Sequence, residues 1–100
     1  MSKYCFSMLC APDLEESLLD SLLVTFDADV FTSAPVSSHG TLAGRLTASE
    51  QVMGRSRSVL VQVIVTSAES NQLRELLRKD FAGSGVRYWM TELSDEGGVA

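Results

Sequence analysis

The spacing of hydrophobic and polar residues changes repeatedly along the chain, and each change marks an element. From Lys3 to Cys10, aromatic and sulfur side chains alternate with smaller ones, the period of a strand. Pro12 suits the first residue of a helix. Leu14, Leu18, Leu19, Leu22 and Leu23 then recur at helical spacing, with Glu15 and Glu16 at the positive end of its dipole. This helix is expected to stop near residues 24–27. Residues 31–36 read as a second strand, with Pro35 marking an edge position. A polar stretch covers residues 37–58, and Val59 to Val65 is the plainest strand of the chain. Ser67 can cap a helix over residues 68–81, with Leu73, Leu76, Leu77 and Phe81 inward and Glu75 and Lys79 a surface pair. Gly83-Ser84-Gly85 stops it. Residues 86–93 form a fourth strand, and 94–100 read as a loose tail.

The order is βαββαβ. It predicts an α+β, ferredoxin-like domain over residues 1–100: a four-stranded antiparallel sheet, two helices on one face, and a long loop between strands two and three. The first and third strands lie inside such a sheet. In the third, Val59, Val61, Val63 and Val65 form one face, while Leu60 and Ile64 flank Gln62 on the other. In the first, Tyr4, Phe6 and Met8 oppose Cys5, Ser7 and Leu9. Two helices cover one face only, and the second is too apolar for full exposure. An intersubunit contact is therefore expected there.

Composition narrows the function classes. Eight Lys+Arg against thirteen Asp+Glu give a net charge of −5. Affinity built on phosphate neutralisation along nucleic acid is not expected of such a chain. The two cysteines, Cys5 and Cys10, fall on opposite faces of one strand, and five residues of strand span about 17 Å. They cannot pair with each other, so a reducing, cytoplasmic setting is the default expectation. The apolar run at the start is short and meets Asp13, Glu15 and Glu16, so it is read as a core strand and not a signal peptide. Val59 to Val65 is far below the ~20 residues that cross a bilayer, so no membrane insertion is expected.

The connection between the second and third strands is where the chemistry concentrates. Hairpin loops usually take two to five residues, and long ones are often functional. Residues 37–58 carry Arg45, Arg55, Arg57 and the only histidine, His39, against one acid, Glu50. Thr47 to Glu50 resembles a capping box. The first helix and its exit instead carry Asp13, Glu15, Glu16, Asp20, Asp27 and Asp29 without a base. A basic loop in an acidic protein reads as a recognition device for an anion or an acidic surface. Other chemistries find no residues. Asp13 stands where a metallochaperone would place the second cysteine of a Cys-x-x-Cys pair. Acylphosphatases share the topology, but Cys10 to Leu14 holds neither glycine nor arginine. Strand three lacks the aromatics of an RNA-recognition motif. No nucleophile–base–orienter set is visible, so no enzyme is expected. Cys10 and His39 remain candidate metal ligands, with buried filler and an ordinary loop histidine as their simpler readings.

The long loop between strands two and three resembles that of the PII-like superfamily, with its PII signalling and CutA-type members. More closely, Ser2 to Cys5, the segment 31–40 with Pro35 and His39, Glu50-Gln51-Val52 with Gly54-Arg55, and Tyr88-Trp89 resemble a small bacterial family catalogued as domain of unknown function 3240. The resemblance spans residues 2–93. It implies a homotrimer with sheets facing inward, and it equates residues 37–58 with the T-loop by which PII proteins engage targets. It also implies a ligand between subunits. Ser38, His39 and Gly40 match one side of the loop base, Arg55 and Arg57 the other, and Gly83 to Gly85 the glycine-rich turn. Val86 and Arg87 stand where PII proteins carry a phosphate-binding lysine. Members of the small family are often associated with heavy-metal efflux, which implies a regulatory or membrane efflux partner.

The expectation is thus a trimeric, cytoplasmic, PII-like regulator or sensor with a small ligand in the intersubunit cleft, its cofactor unidentified. The alternative is a CutA-like protein binding divalent metal through His39, Cys10 or an acidic residue.

Overall fold

A computed structural model describes residues 2–26, 30–40 and 56–100. Strand β1 runs over Lys3–Cys10. A single 3-10 turn, Pro12–Leu14, leads into helix α1, Glu15–Thr25. Strand β2 is Phe31–Ser38, strand β3 Ser56–Thr66, helix α2 Ser67–Asp80 and strand β4 Arg87–Leu93. The expected βαββαβ architecture is present, with sheet order β2-β3-β1-β4 and every neighbouring pair antiparallel.

One face of the sheet makes the core. Phe6, Met8 and Cys10 of β1 lie beside Val59, Val61, Val63 and Val65 of β3, and all are buried. Leu18 and Leu22 of α1 and Leu73 and Leu77 of α2 close over them. β-branched valines in alternation suit a central strand because their stiff side chains pack well on the pleat. Phe6 also stacks on Tyr88 of β4, with ring centroids 5.3 Å apart. The second face carries Cys5, Ser7 and Leu9, then Leu60, Gln62 and Ile64, then Trp89, with neither α1 nor α2 over it.

Three boundaries differ from the sequence reading. The first helix opens as a 3-10 turn at Pro12, which tightens the exit from β1 before α-helical spacing begins. Strand β2 continues past Val36 to Ser38, and β3 starts at Ser56, so Ser37 pairs with Arg57 and Ser38 with Ser56. Polarity hid these pairs: hydrogen-bonded serines read as loop when judged by hydropathy. The cap of α2 is Thr66 and not Ser67. Its hydroxyl accepts from the Glu69 N–H at 3.2 Å, and the Glu69 carboxylate accepts from the Thr66 N–H at 2.9 Å. This reciprocal pair satisfies two N–H groups and lets β3 pass into α2 with no connecting residue. The suggested capping box at Thr47 to Glu50 lies outside the described residues.

The two sheet edges differ. Pro35 lies on β2, where it pairs with β3 on one side only. A proline is tolerated in an edge strand when its missing donor faces away from the ladder, which blunts the free edge. Strand β4 carries no proline, and Tyr88, Trp89 and Met90 stand 43%, 46% and 37% exposed on its two faces.

Thr66→Ala is expected to lower stability by about 1 kcal/mol through loss of the cap. Thr66→Ser should recover most of it. Urea denaturation checks both, and equal stability of wild type and Thr66→Ala would show the cap to be idle.

Candidate functional site

The register brings one end of every element together. Cys10 at the end of β1 pairs with Val59, Leu9 lies beside Arg87, and Ser38 at the end of β2 faces Ser56. The start of α1, the base of the long loop and the glycine turn before β4 therefore share one end of the sheet. Within that end they are divided. Ser38, His39 and Gly40 end β2 at one edge, with Arg57 beside them on the inner strand β3, whereas Gly83 and Gly85 precede β4 at the opposite edge. Three strand spacings separate β2 from β4, about 14 Å.

At the loop base, the Ser38 hydroxyl donates to Ser58 Oγ at 2.7 Å. This bond ties β2 to β3 where the ladder ends. His39 is exposed, and Gly40 takes φ +80°, a left-handed conformation that glycine adopts without steric cost. Ser37 and Arg57 are cross-strand partners in line with Val59, so they belong to the helix side of the sheet, and Ser38 belongs to the open side. Arg55 and Arg45 lie outside the described residues. A cleft of about 520 Å³ opens on the helix side, lined by Pro12, Glu15, Pro35, Ser37, Arg57 and Val59 among others. It offers one guanidinium, one carboxylate and aliphatic walls. The sequence reading gave Glu15 only a role at the helix dipole; nothing in the sequence showed that β2 would bring Pro35 and Ser37 beside it.

At the opposite edge, Gly83 and Gly85 take φ of +76° and +83°. Ser84 clamps the turn between them. Its N–H and its hydroxyl both donate to the Phe81 carbonyl, and its Oγ accepts from the Val86 N–H at 3.3 Å. The backbone N–H groups of Gly83 and Gly85 have no acceptor among the described residues, so they are the ones this turn can offer an anion.

The candidate metal ligands lie apart in character. Cys10 is 3% exposed and part of the core. Burial pushes its thiol pKa up, and the carboxylates of Glu15 and Asp13 push it further. His39 is on the surface. Among the described residues, no three of His, Cys, Asp and Glu gather as a metal site would require. Cys5 and Cys10 are both free thiols, as their opposite faces require. Cys5 is half-buried and belongs to a polar group on the open face. Gln62 Nε2 donates to Ser7 Oγ at 3.1 Å and approaches Cys5 Sγ at 3.7 Å. This group was missed by the sequence reading because it depends on register, which sets Ser7 opposite Gln62.

No helix among the described residues is long and apolar enough to cross a membrane. The family model described as "Protein of unknown function (DUF3240)" matches residues 1–100. Among curated proteins no match was found. The solved structure of a DUF3240 family protein from Shewanella baltica is similar over 100% of this chain and 99% of its own, with TM-score 0.78 at 12% identity. The Bacillus subtilis GlnK–ATP complex is similar over 93% of this chain and 83% of its own, with TM-score 0.67 at 14% identity. CutA1 from Pyrococcus horikoshii covers 95% and 86%, with TM-score 0.69 at 8% identity. At these identities the likeness is one of fold.

Because the folded state holds the Cys10 proton more tightly than the unfolded chain, its stabilising contribution is full below the ordinary thiol value of 9.0. It is lost as pH rises through the higher folded value. Native Cys10 should resist iodoacetamide at pH ~8 and react once urea unfolds the chain. Intact-mass and peptide analysis check this; rapid native labelling of Cys10 would place the thiol outside the core.

Proposed function

This chain belongs to the DUF3240 family of proteins of unknown function, and on that premise we propose that it is a PII-like regulatory or sensor protein acting as a homotrimer. A small anionic ligand binds in the cleft between subunits, and the segment between β2 and β3 engages a target, a regulatory protein or a membrane efflux system. The observation that carries this reading is the division of the candidate ligand residues between the two edges of one sheet. Arg57 of β3, with Arg55 beyond the described residues, stands in the β2–β3 hairpin, and the N–H groups of Gly83 and Gly85 stand at the β4 edge.

A second copy resolves the division. Strands β2 and β4 run in opposite directions, so copies related by rotation about one axis can set β4 of one beside β2 of the next, antiparallel. The glycine turn of one copy then neighbours Ser38, His39, Gly40 and Arg57 of the next. Arg57 and the turn that follows α2 both belong to the helix side of the sheet, which suits a shared ligand. The guanidinium supplies a permanent planar charge, and the glycine N–H groups supply donors for phosphate or carboxylate oxygens. The contact is head-to-tail and closes as a ring.

Light scattering should give a mass three times the 10.8 kDa of one chain; a persistent monomer removes both trimer and shared cleft. A thermal-shift panel of nucleotides, orthophosphate, acidic peptides and divalent metals then identifies the ligand class. For an anionic ligand, the double change Arg55→Ala and Arg57→Ala should weaken binding by about 1.5–3 kcal/mol per charged hydrogen bond lost. It should leave the melting temperature nearly unchanged, since exposed charges contribute little to stability. Calorimetric titration checks it, and unchanged affinity moves the ligand away from the loop base. A shift with metals alone, abolished by His39→Ala, favours the CutA-like reading instead.

A further inference from the structure

We infer that Gln62 sets how copies of this chain fit together: its side-chain carbonyl takes a hydrogen bond across the interface formed by the open face of the sheet. The inference rests on the oligomer proposed above and names the polar contact inside it.

The register places Thr32, Gln62, Ser7 and Trp89 in one row across the four strands. The neighbouring rows are mainly apolar at their centre, with Leu60 beside Leu9 on one side and Ile64 beside Cys5 on the other. Gln62 uses its amide nitrogen inside the chain, towards Ser7 Oγ at 3.1 Å and Cys5 Sγ at 3.7 Å. Ser7 is only 2% exposed in a single chain, so this anchor is already sheltered. The nitrogen fixes the direction of the amide. Its oxygen, Oε1, has no donor among the described residues. A carbonyl buried without a donor is costly, so whatever covers this face must bring one.

The occupant that fits is a second copy of the same chain. The protein carries a net charge of −5, yet the only ionisable side chains among the paired positions of this face are Lys3 and Arg87 at its margins, besides the thiol of Cys5. Two copies meeting here bring no carboxylates together, whereas contact through α1 would oppose Glu15, Glu16 and Asp20 to their like. The face also continues without a break to β4, whose free edge is not blunted by proline. A copy supplies donors of its own from the same face: the indole N–H of Trp89 and the hydroxyls of Thr32 and Thr91, all exposed. Trp89 adds a large apolar ring to the contact. Acceptor and donors occupy different strands, so a head-to-tail contact between them can repeat identically around a closed ring.

The test compares wild type, Gln62→Met and Ser7→Ala by sedimentation equilibrium, with urea unfolding to confirm that each variant folds. Gln62→Met keeps the length of the side chain and removes the carbonyl. It should weaken association about tenfold, the effect of one lost hydrogen bond whose partner stays unpaired. Ser7→Ala frees the amide to rotate and should weaken association several-fold, so Ser7 is a positioning residue whose variant carries the test if Gln62→Met does not fold. An oligomeric wild type with both variants associating as tightly overturns the role of Gln62 alone. A wild type that stays monomeric at high micromolar concentration overturns the oligomer as well and leaves the face to a different partner.

Discussion

The packing of both described helices on one side of the two central strands imposes the constraint on which the rest depends. The β1–β3 pair is buried through its Phe6, Met8 and valine face, where α1 and α2 close the core. Neither of these two helices packs on the opposite side of the same strands. Leu9, Leu60 and Ile64 therefore lie on a face that also holds the Gln62–Ser7 and Ser38–Ser58 hydrogen bonds and no described helix. Packing inside the monomer thus dictates where its unsatisfied surface lies.

The same sheet order governs the chemistry. Hairpin β2–β3 and the turn before β4 reach the same end of the molecule but stand at opposite edges. One half holds a guanidinium in a cleft that also holds Glu15, and the other holds the Gly83 and Gly85 N–H groups between the basic last turn of α2 and Arg87. The family match and the GlnK and CutA1 likenesses establish the fold around these halves. The division itself supports a site shared between copies.

Much of this was legible in the sequence because periodicity is a direct imprint of packing. The valine alternation of β3 and the leucine spacing of both helices announced the elements, and the order of elements announced the topology. Boundaries set by hydrogen bonds were not legible. Ser37, Ser38, Ser56 and Ser58 look like loop, yet they extend the ladder because backbone pairing does not depend on hydropathy. Thr66 and Ser67 are equally good caps by type, and only the reciprocal bond with Glu69 decides between them. The Gln62–Ser7–Cys5 group was invisible for a third reason: Gln62 lies 55 residues from Ser7 and 57 from Cys5 and becomes their neighbour only through register.

The direct passage from β3 into α2 has a mechanical consequence. Strand β3 is 11 residues long, about 36 Å of extended chain, and α2 begins at the next residue under a two-bond clamp. Helix α2 then returns towards the starting end and delivers the glycine turn. Arg57 and Gly83 are thus the two tips of a single folded strut with no hinge at its bend. Motion imposed on the loop base cannot be absorbed at that corner; it must be taken up by the sheet or arrive at the turn.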